Sequence, residues 1–222
     1  MLPQAIAVGG SWEGHPQTYP PLAHDDDLIR LVYETLKPIA HPVLLDVGAS
    51  SGSFSLLPVL LPDLTVYSFE PNADVFALLE HHLRMNRITS RVRPFNIAAW
   101  YEQATLTLSI PLPTATGCAT LGTPNGGVPT STQEVEAFPL DWLMNSITHV
   151  DFIKIDTEGS EKFVLQGAEK LIARDRPTLL IECTWTTGLL FGYDRQEILD
   201  LVTSWGYSYD FPKEDNALCV PN

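Results

Sequence analysis

Five acidic residues of this 222-residue chain stand where a carboxylate can do chemistry, at or just beyond the end of an apolar run. Asp46 follows Val43-Leu44-Leu45, and Glu70 follows Thr65-Val66-Tyr67-Ser68-Phe69. Asp156 and Glu158 follow Phe152-Ile153-Lys154-Ile155, and Glu182 follows Thr178-Leu179-Leu180-Ile181. In such positions a carboxylate can accept hydrogen bonds from hydroxyls, take up a proton or ligate a hard cation. After Asp46 the chain reads Val47-Gly48-Ala49-Ser50-Ser51-Gly52-Ser53-Phe54, a small-residue turn leading into a helical pattern. Gly48 and Gly52 let the backbone turn sharply and let a ligand approach it. A strand, a glycine turn and a helix in that order form a nucleotide-type cofactor loop at the carboxyl edge of a parallel sheet.

Two cofactor classes compete for such a loop. A dinucleotide fingerprint wants glycines at the second and fifth positions after Gly48, where Ser50 and Ser53 stand. An Asp two residues before the first glycine would also set negative charge beside a pyrophosphate. It suits a ligand that carries positive charge and no phosphate, and S-adenosylmethionine, with an ammonium and a sulfonium, is that ligand. Asp46 and Gly48 are expected near its methionine half, with Ser50, Gly52, Ser53 and Phe54 completing the loop. Glu70 lies 24 residues after Asp46, one strand-helix-strand step, where a carboxylate holds ribose hydroxyls. Pro71 and Asn72 follow it in the same turn. Asn96 offers an amide donor and acceptor to adenine, Ala98 leaves room for a flat ring, and Asp156 is expected to reach the cofactor from a central strand.

The elements that must position these residues alternate strand and helix from Val43 to Glu182. That alternation predicts a Rossmann-like α/β fold, a doubly wound, mostly parallel seven-stranded sheet with helices on both faces and one antiparallel strand near the C-terminus. Residues 1–24 are rich in Gly, Pro, His and aromatics without periodicity and read as an irregular arm, leaving 25–222 as one domain. Asp25-Asp26-Asp27 reads as the capped, acidic start of a helix reaching Lys37. Further helices are expected over 54–61, 73–85, 160–173 and 194–205, and a third strand over 91–99. The run 105–110 should pair with 134–140, and the Pro-, Gly-, Thr- and Ser-rich stretch 111–133 between them reads as a long loop at the pocket mouth. Alternation puts Lys154 and Asp156 on one side of their strand and Ile153 and Ile155 on the other. A Lys in a central strand needs an acidic partner.

Composition narrows the function classes. The formal net charge is −14, and the Lys and Arg residues form no run. A nucleic-acid substrate is therefore not expected, since phosphate binding draws on clustered cations. No apolar run approaches the ~20 residues of a membrane span. No basic residue precedes an apolar core at the N-terminus, so no signal peptide is expected. Three widely spaced cysteines suit a reducing, cytoplasmic setting.

The segments Leu45-Asp46-Val47-Gly48-Ala49, Phe69-Glu70-Pro71-Asn72, Asp151 to Glu161 and Val164-Leu165-Gln166-Gly167-Ala168 resemble the FkbM-type family of S-adenosylmethionine-dependent methyltransferases. The Asp-x-Glu-Gly-x-Glu run from Asp156 to Glu161 is that family's mark, and the likeness covers about 43 to 212. The family's usual loop Asn is Ser50 in this chain. The resemblance implies a class I methyltransferase fold and O-methylation of small molecules such as sugars, glycans or polyketides. An N- or carboxyl-methyltransferase acting on an amino acid or peptide, and a non-catalytic cofactor-binding module, are the alternatives. A hydroxyl acceptor needs its proton removed, so Asp156 and Glu158 are the candidate catalytic residues. Together with Glu182 they could serve as base, as Mg2+ ligands or as hydrogen-bond acceptors, and no metal is assigned.

Overall fold

The computed structural model describes residues 26–112, 118–122, 130–185 and 187–222. The expected arm over 1–24 and much of the 111–133 stretch lie outside the described residues. The chain order is α1 (Asp26–Leu36), β1 (Val43–Val47), β2 (Thr65–Phe69), α2 (Ala73–Met85), β3 (Val92–Phe95), β4 (Ala98–Ala99), β5 (Ala104–Pro111) and β6 (Thr130–Phe138). Then come β7 (Phe152–Ile155), α3 (Glu161–Gln166), α4 (Glu169–Asp175), β8 (Thr178–Glu182), α5 (Arg195–Ser204), β9 (Tyr207–Lys213) and β10 (Asn216–Pro221). Seven strands form one sheet in the order β3-β2-β1-β7-β8-β10-β9. Pairing is parallel from β3 through β8, and β10 runs antiparallel to both neighbours. This is the doubly wound sheet the strand-helix alternation predicts.

The register sets the site. Phe95, Phe69, Val47, Ile155 and Ile181 share one row across five strands. The residues one step further, Asn96, Glu70, Gly48, Asp156 and Glu182, therefore line up along the carboxyl edge. The row before Val47 holds Ser68, Asp46 and Lys154 on β2, β1 and β7. Side chains alternate between two cores. Leu44, Val66 and Phe152 pack with Ile29, Val32, Leu79 and Leu83 of α1 and α2. Leu45, Val47, Ile153 and Ile155 pack with Val164, Leu171, Ile198 and Val202 of α3 to α5.

Several elements differ in detail from the sequence expectation. The third strand is two: β3 stays in the main sheet, while β4 joins β5 and β6 in a second sheet. Its Asn96 spends its amide on the carbonyls of Glu70 (2.8 Å) and Pro71 (3.0 Å), which ties the turn between the two pieces. The stretch after the glycine loop forms turns and a short 3-10 segment, Leu57–Val59, with Pro58 inside it rather than a regular helix. The helix expected over 160–173 breaks into α3 and α4 at Gly167-Ala168. There a Cβ on Gly167 would lie 2.0 Å from the Trp100 carbonyl oxygen. The Gly167 carbonyl accepts from Asp141 N, and the Asp141 carboxylate caps α4 through Leu171 N at 2.9 Å. The helix expected over 194–205 is α5, closed by an Asp194/Glu197 capping box. The pairing of 105–110 with 134–140 is present as β5 and β6, with β6 starting earlier, at Thr130.

Candidate active site

The glycine loop is set by two backbone contacts. Gly48 N and Ala49 N both donate to the Phe69 carbonyl, at 3.0 and 2.9 Å, which pulls the loop toward β2. On its other side the loop meets β7: a Cβ on Gly48 would lie 1.7 Å from the Asp156 carbonyl oxygen. Gly48 also sits at φ +73. Its lack of a side chain is thus required by the neighbouring chain, before any ligand is considered. Gly52 is favoured by its φ of +104, which L side chains rarely adopt, and Leu79 Cδ1 would lie 2.7 Å from an added Cβ.

Asp46 lies beneath this loop. It is fully buried and does not line the cavity. Ser55 Oγ donates to Asp46 Oδ2 at 2.6 Å and is 2.7 Å from Ser68 Oγ. Lys154 Nζ is 3.8 Å from Asp46 Oδ1 and 3.2 Å from Asp156 Oδ2, and it donates to the Gly48 carbonyl at 2.7 Å. The Lys in the central strand thus has acidic partners on two strands, and Asp46 supports the loop from below.

Glu70 ends β2 and lines the cavity. Its Oε2 accepts Ser50 N and its Oε1 accepts Asn72 N, both at 2.9 Å. Each carboxylate oxygen keeps a second lone pair for a hydroxyl donor. Asn72 is the N-cap of α2, its side chain accepting from Asp74 N and Val75 N, so its role is structural. Asn72, Asn96 and Gly52 stay out of the cavity wall, whereas Ser50, Ser53, Phe54, Pro71 and Ala98 are on it.

On the opposite side stands the turn after β7. Glu161, the first residue of α3, is almost fully buried; its Oε1 accepts Thr157 N, Thr157 Oγ1 and Gly159 N at 2.9 to 3.0 Å. Tyr193 OH lies 3.2 Å from Glu161 Oε2 and donates to the Gly159 carbonyl at 2.6 Å. Glu161 is therefore the organiser of the turn, a stronger role than favouring the helix dipole. Asp156 and Glu158 face the cavity, whose volume is about 240 Å³. Carboxylate oxygens of Asp156, Glu158 and Glu182 lie within 4.8 Å of one another. Two described residues of the long stretch, Ala119 and Leu121, line the cavity, and Thr120 Oγ1 donates to the Glu158 carbonyl at 2.8 Å.

Comparison with known proteins gives this geometry a family. The family model for the methyltransferase FkbM domain matches residues 46–209, most of the chain. The chain belongs to the FkbM methyltransferase family. The crystal structure of methyltransferase FkbM from Methylobacillus flagellatus KT is 22% identical with a TM-score of 0.55, covering 81% of this chain and 43% of that one. The present chain thus spans less than half the length of that protein. Precorrin-6y C5,15-methyltransferase from Geobacter metallireducens GS-15 is 11% identical with a TM-score of 0.53, over 92% of this chain and 90% of that one. Both likenesses show the class I methyltransferase fold. No curated protein sequence matches the chain, and no described helix is long and apolar enough to cross a membrane.

In this FkbM domain two non-glycine residues on the cavity wall hold left-handed backbone, Ser50 at φ +49 and Glu158 at φ +54. Asn tolerates that region better than most residues, which gives a backbone reason for the Asn that the family resemblance leads one to expect at this position. Strain of this kind gathers at working sites. Signals for the roles of Ser55, Ser68 and Tyr193 were absent from the sequence, since single hydroxyls on separate elements form no motif.

Burial dominates the electrostatics. It pushes Glu158 up to about 7, with Asp156 and Glu161 adding repulsion and Lys154 opposing. Burial also raises Glu182 to about 9, reinforced by Asp156 and Glu158. Glu70 rises to about 7, again through burial, against the pull of the Asn72 and Ser50 amides. Asp46 is raised by burial, with Lys154 and Ser55 offsetting part of it. Burial works against the Lys154 ammonium, but Asp156 and Asp46 outweigh it and hold the charge.

These shifts fix the sign of a stability profile. Three carboxyls titrate at about 7 to 9 in the folded protein, against ~4.3 in an unfolded chain. The folded state therefore binds more protons in that interval, and its stability falls as pH rises from about 5 to 9. Thermal unfolding should give a lower midpoint at pH 9 than at pH 6, and Glu182→Gln should flatten the slope. A midpoint that climbs across this range would contradict the assignment.

Proposed function

We propose that the chain transfers a methyl group from S-adenosylmethionine to a hydroxyl oxygen of a small molecule such as a sugar, a glycan or a polyketide. The observation that carries this reading is Glu158, a partly buried carboxyl on the cavity wall, with its proton affinity raised to about 7. S-adenosylmethionine, when bound, supplies a methyl group already activated on a sulfonium. The protein then has two tasks, alignment of the acceptor and removal of its proton.

The residues fit both. Glu70 has the free lone pairs to hold the ribose hydroxyls, and the Gly48–Ser50 loop supplies close backbone on the same wall. Across the cavity, Glu158 is partly ionised near neutral pH and can take a hydroxyl proton, with Asp156 beside it orienting the acceptor. A carboxylate acceptor would be repelled by Asp156 and by Glu158 in its ionised form, and it needs no proton removed. Those two acids favour a neutral hydroxyl over that alternative.

Glu70→Ala tests the cofactor half. Each charge-assisted hydrogen bond is worth about 1.5–3 kcal/mol, so affinity for S-adenosylhomocysteine should fall at least about tenfold in calorimetric titration. Unchanged affinity would remove Glu70 from the ribose. The acceptor half is tested by incubating the protein with S-adenosylmethionine carrying a labelled methyl group and panels of sugars, glycans and polyketide alcohols. Label on a carbinol oxygen supports the reading; label only on nitrogen or carboxylate overturns it.

A further inference from the structure

Lys154 is the only cation among the described residues that line the cavity. It is 6% exposed, and its ammonium is enclosed by the Gly48 carbonyl at 2.7 Å, Asp156 Oδ2 at 3.2 Å and Asp46 Oδ1 at 3.8 Å. The Phe54 ring closes another side, 5.5 Å from Nζ. Asp46 Oδ1 has no hydrogen-bond partner, so Lys154 is what answers its charge. A buried ion pair seldom outdoes a well-packed apolar side chain in stability, and Leu180 occupies the matching row on the next strand. A Lys at this register is thus better explained by the site than by the fold.

We propose that Lys154 is the positioning residue of this site: its ammonium ties the cofactor loop to the acceptor-side acids and governs how readily those acids give up their shared protons. The inference rests on the proposed proton-accepting role of Glu158 only for its consequence in turnover. The loop is held because Gly48 and Asp156 meet on one ammonium. The protons are governed because each carboxylate that ionises must do so beside others of like charge. The charged and titratable groups that feel Lys154 are Asp46 on β1, Glu70 just after β2, Asp156 and Glu158 after β7, and Glu182 on β8; Glu161 and Cys118 act on those acids in turn. All but Lys154 become anions on losing a proton. Interacting sites of this kind titrate as a set, and removing the one positive charge makes the last ionisation of the set harder.

The test compares wild type with Lys154→Met and Lys154→Arg by following side-chain carboxyl carbons in 13C NMR against pH, with no ligand present. In Lys154→Met the highest-pH carboxyl step should move up by on the order of one pH unit, and Lys154→Arg should return it toward wild type. A step that stays in place in Lys154→Met overturns the proposal. If Lys154→Met does not fold, the wild type decides through the 15N signal of the Lys154 ammonium. That signal should shift as the carboxyls titrate; a signal that stays fixed through their steps overturns the proposal. Calorimetry of wild type with S-adenosylhomocysteine is run alongside. Absence of binding there would defeat the cofactor reading alone, because the carboxyl titration needs no cofactor. Once an acceptor is known, the pH midpoint of turnover should move with the carboxyl step in Lys154→Met.

Discussion

Gly48→Ala is expected to cost the protein more than any other single methyl group added to the site. The new Cβ would stand 1.7 Å from the Asp156 carbonyl oxygen, a backbone atom that cannot rotate aside. Overpacking typically costs about 1–3 kcal/mol, and Ala at a left-handed φ adds about 1–2 kcal/mol. A combined loss of about 3 kcal/mol lowers the melting midpoint of a chain this size by about 6–12 °C. Relief by separating β1 from β7 would also move the loop off Glu70, so affinity for S-adenosylhomocysteine should fall in parallel. Gly192 is the control. It shares a left-handed φ of +78 but has nothing within 4 Å of an added Cβ. Gly192→Ala should show the backbone cost alone. Equal losses from the two substitutions in thermal unfolding would mean that the approach of Asp156 to the loop is not what demands glycine.

The second large effect concerns turnover. Glu158→Gln keeps shape and removes the proton acceptor, so the methylation rate should drop by about 10²–10⁴-fold, with S-adenosylhomocysteine affinity within about twofold of wild type. The pH profile adds a sign. A base works when ionised, so wild-type turnover should rise through about pH 7, following the raised Glu158 carboxyl. That rise should be missing from the Gln variant. Glu161→Gln serves as contrast: it removes charge from the carboxylate that organises the turn, so it should lower stability and cofactor affinity together. Full turnover in Glu158→Gln would leave alignment as the whole mechanism.

Much of the fold was legible because the signals were long or paired. Apolar runs ending in Asp46, Glu70, Asp156 and Glu182 gave the parallel strands, and their common register at the carboxyl edge is what a doubly wound sheet imposes. The site was legible at that edge and less so one row below it. Alternation placed Lys154 on a definite side of β7, but only the register between strands reveals that it stands beside Asp46 and in line with Ser68. For the same reason Asp46 reads from sequence as a ligand contact, when its burial makes it the support under the loop. Asn96 was misleading because its amide chemistry suits either a base or a backbone turn, and two carbonyls claimed it. The break at Gly167 depends on Trp100, some 67 residues earlier, and no local pattern carries such information.

The place of β10 in the sheet has a consequence for how the protein is made. It follows the other described strands of the sheet in sequence, yet it lies inside the sheet, between β8 and β9. During synthesis β8 leaves the ribosome with one edge bare, and the edge stays bare until the hairpin of β9 and β10 has been translated and folds back. β8 is Thr178-Leu179-Leu180-Ile181-Glu182, with its three central residues buried in the finished sheet. An uncovered apolar edge is a template for pairing with other chains. The nascent protein therefore passes through an interval of exposure to self-association, which ends only when β10 takes its interior place.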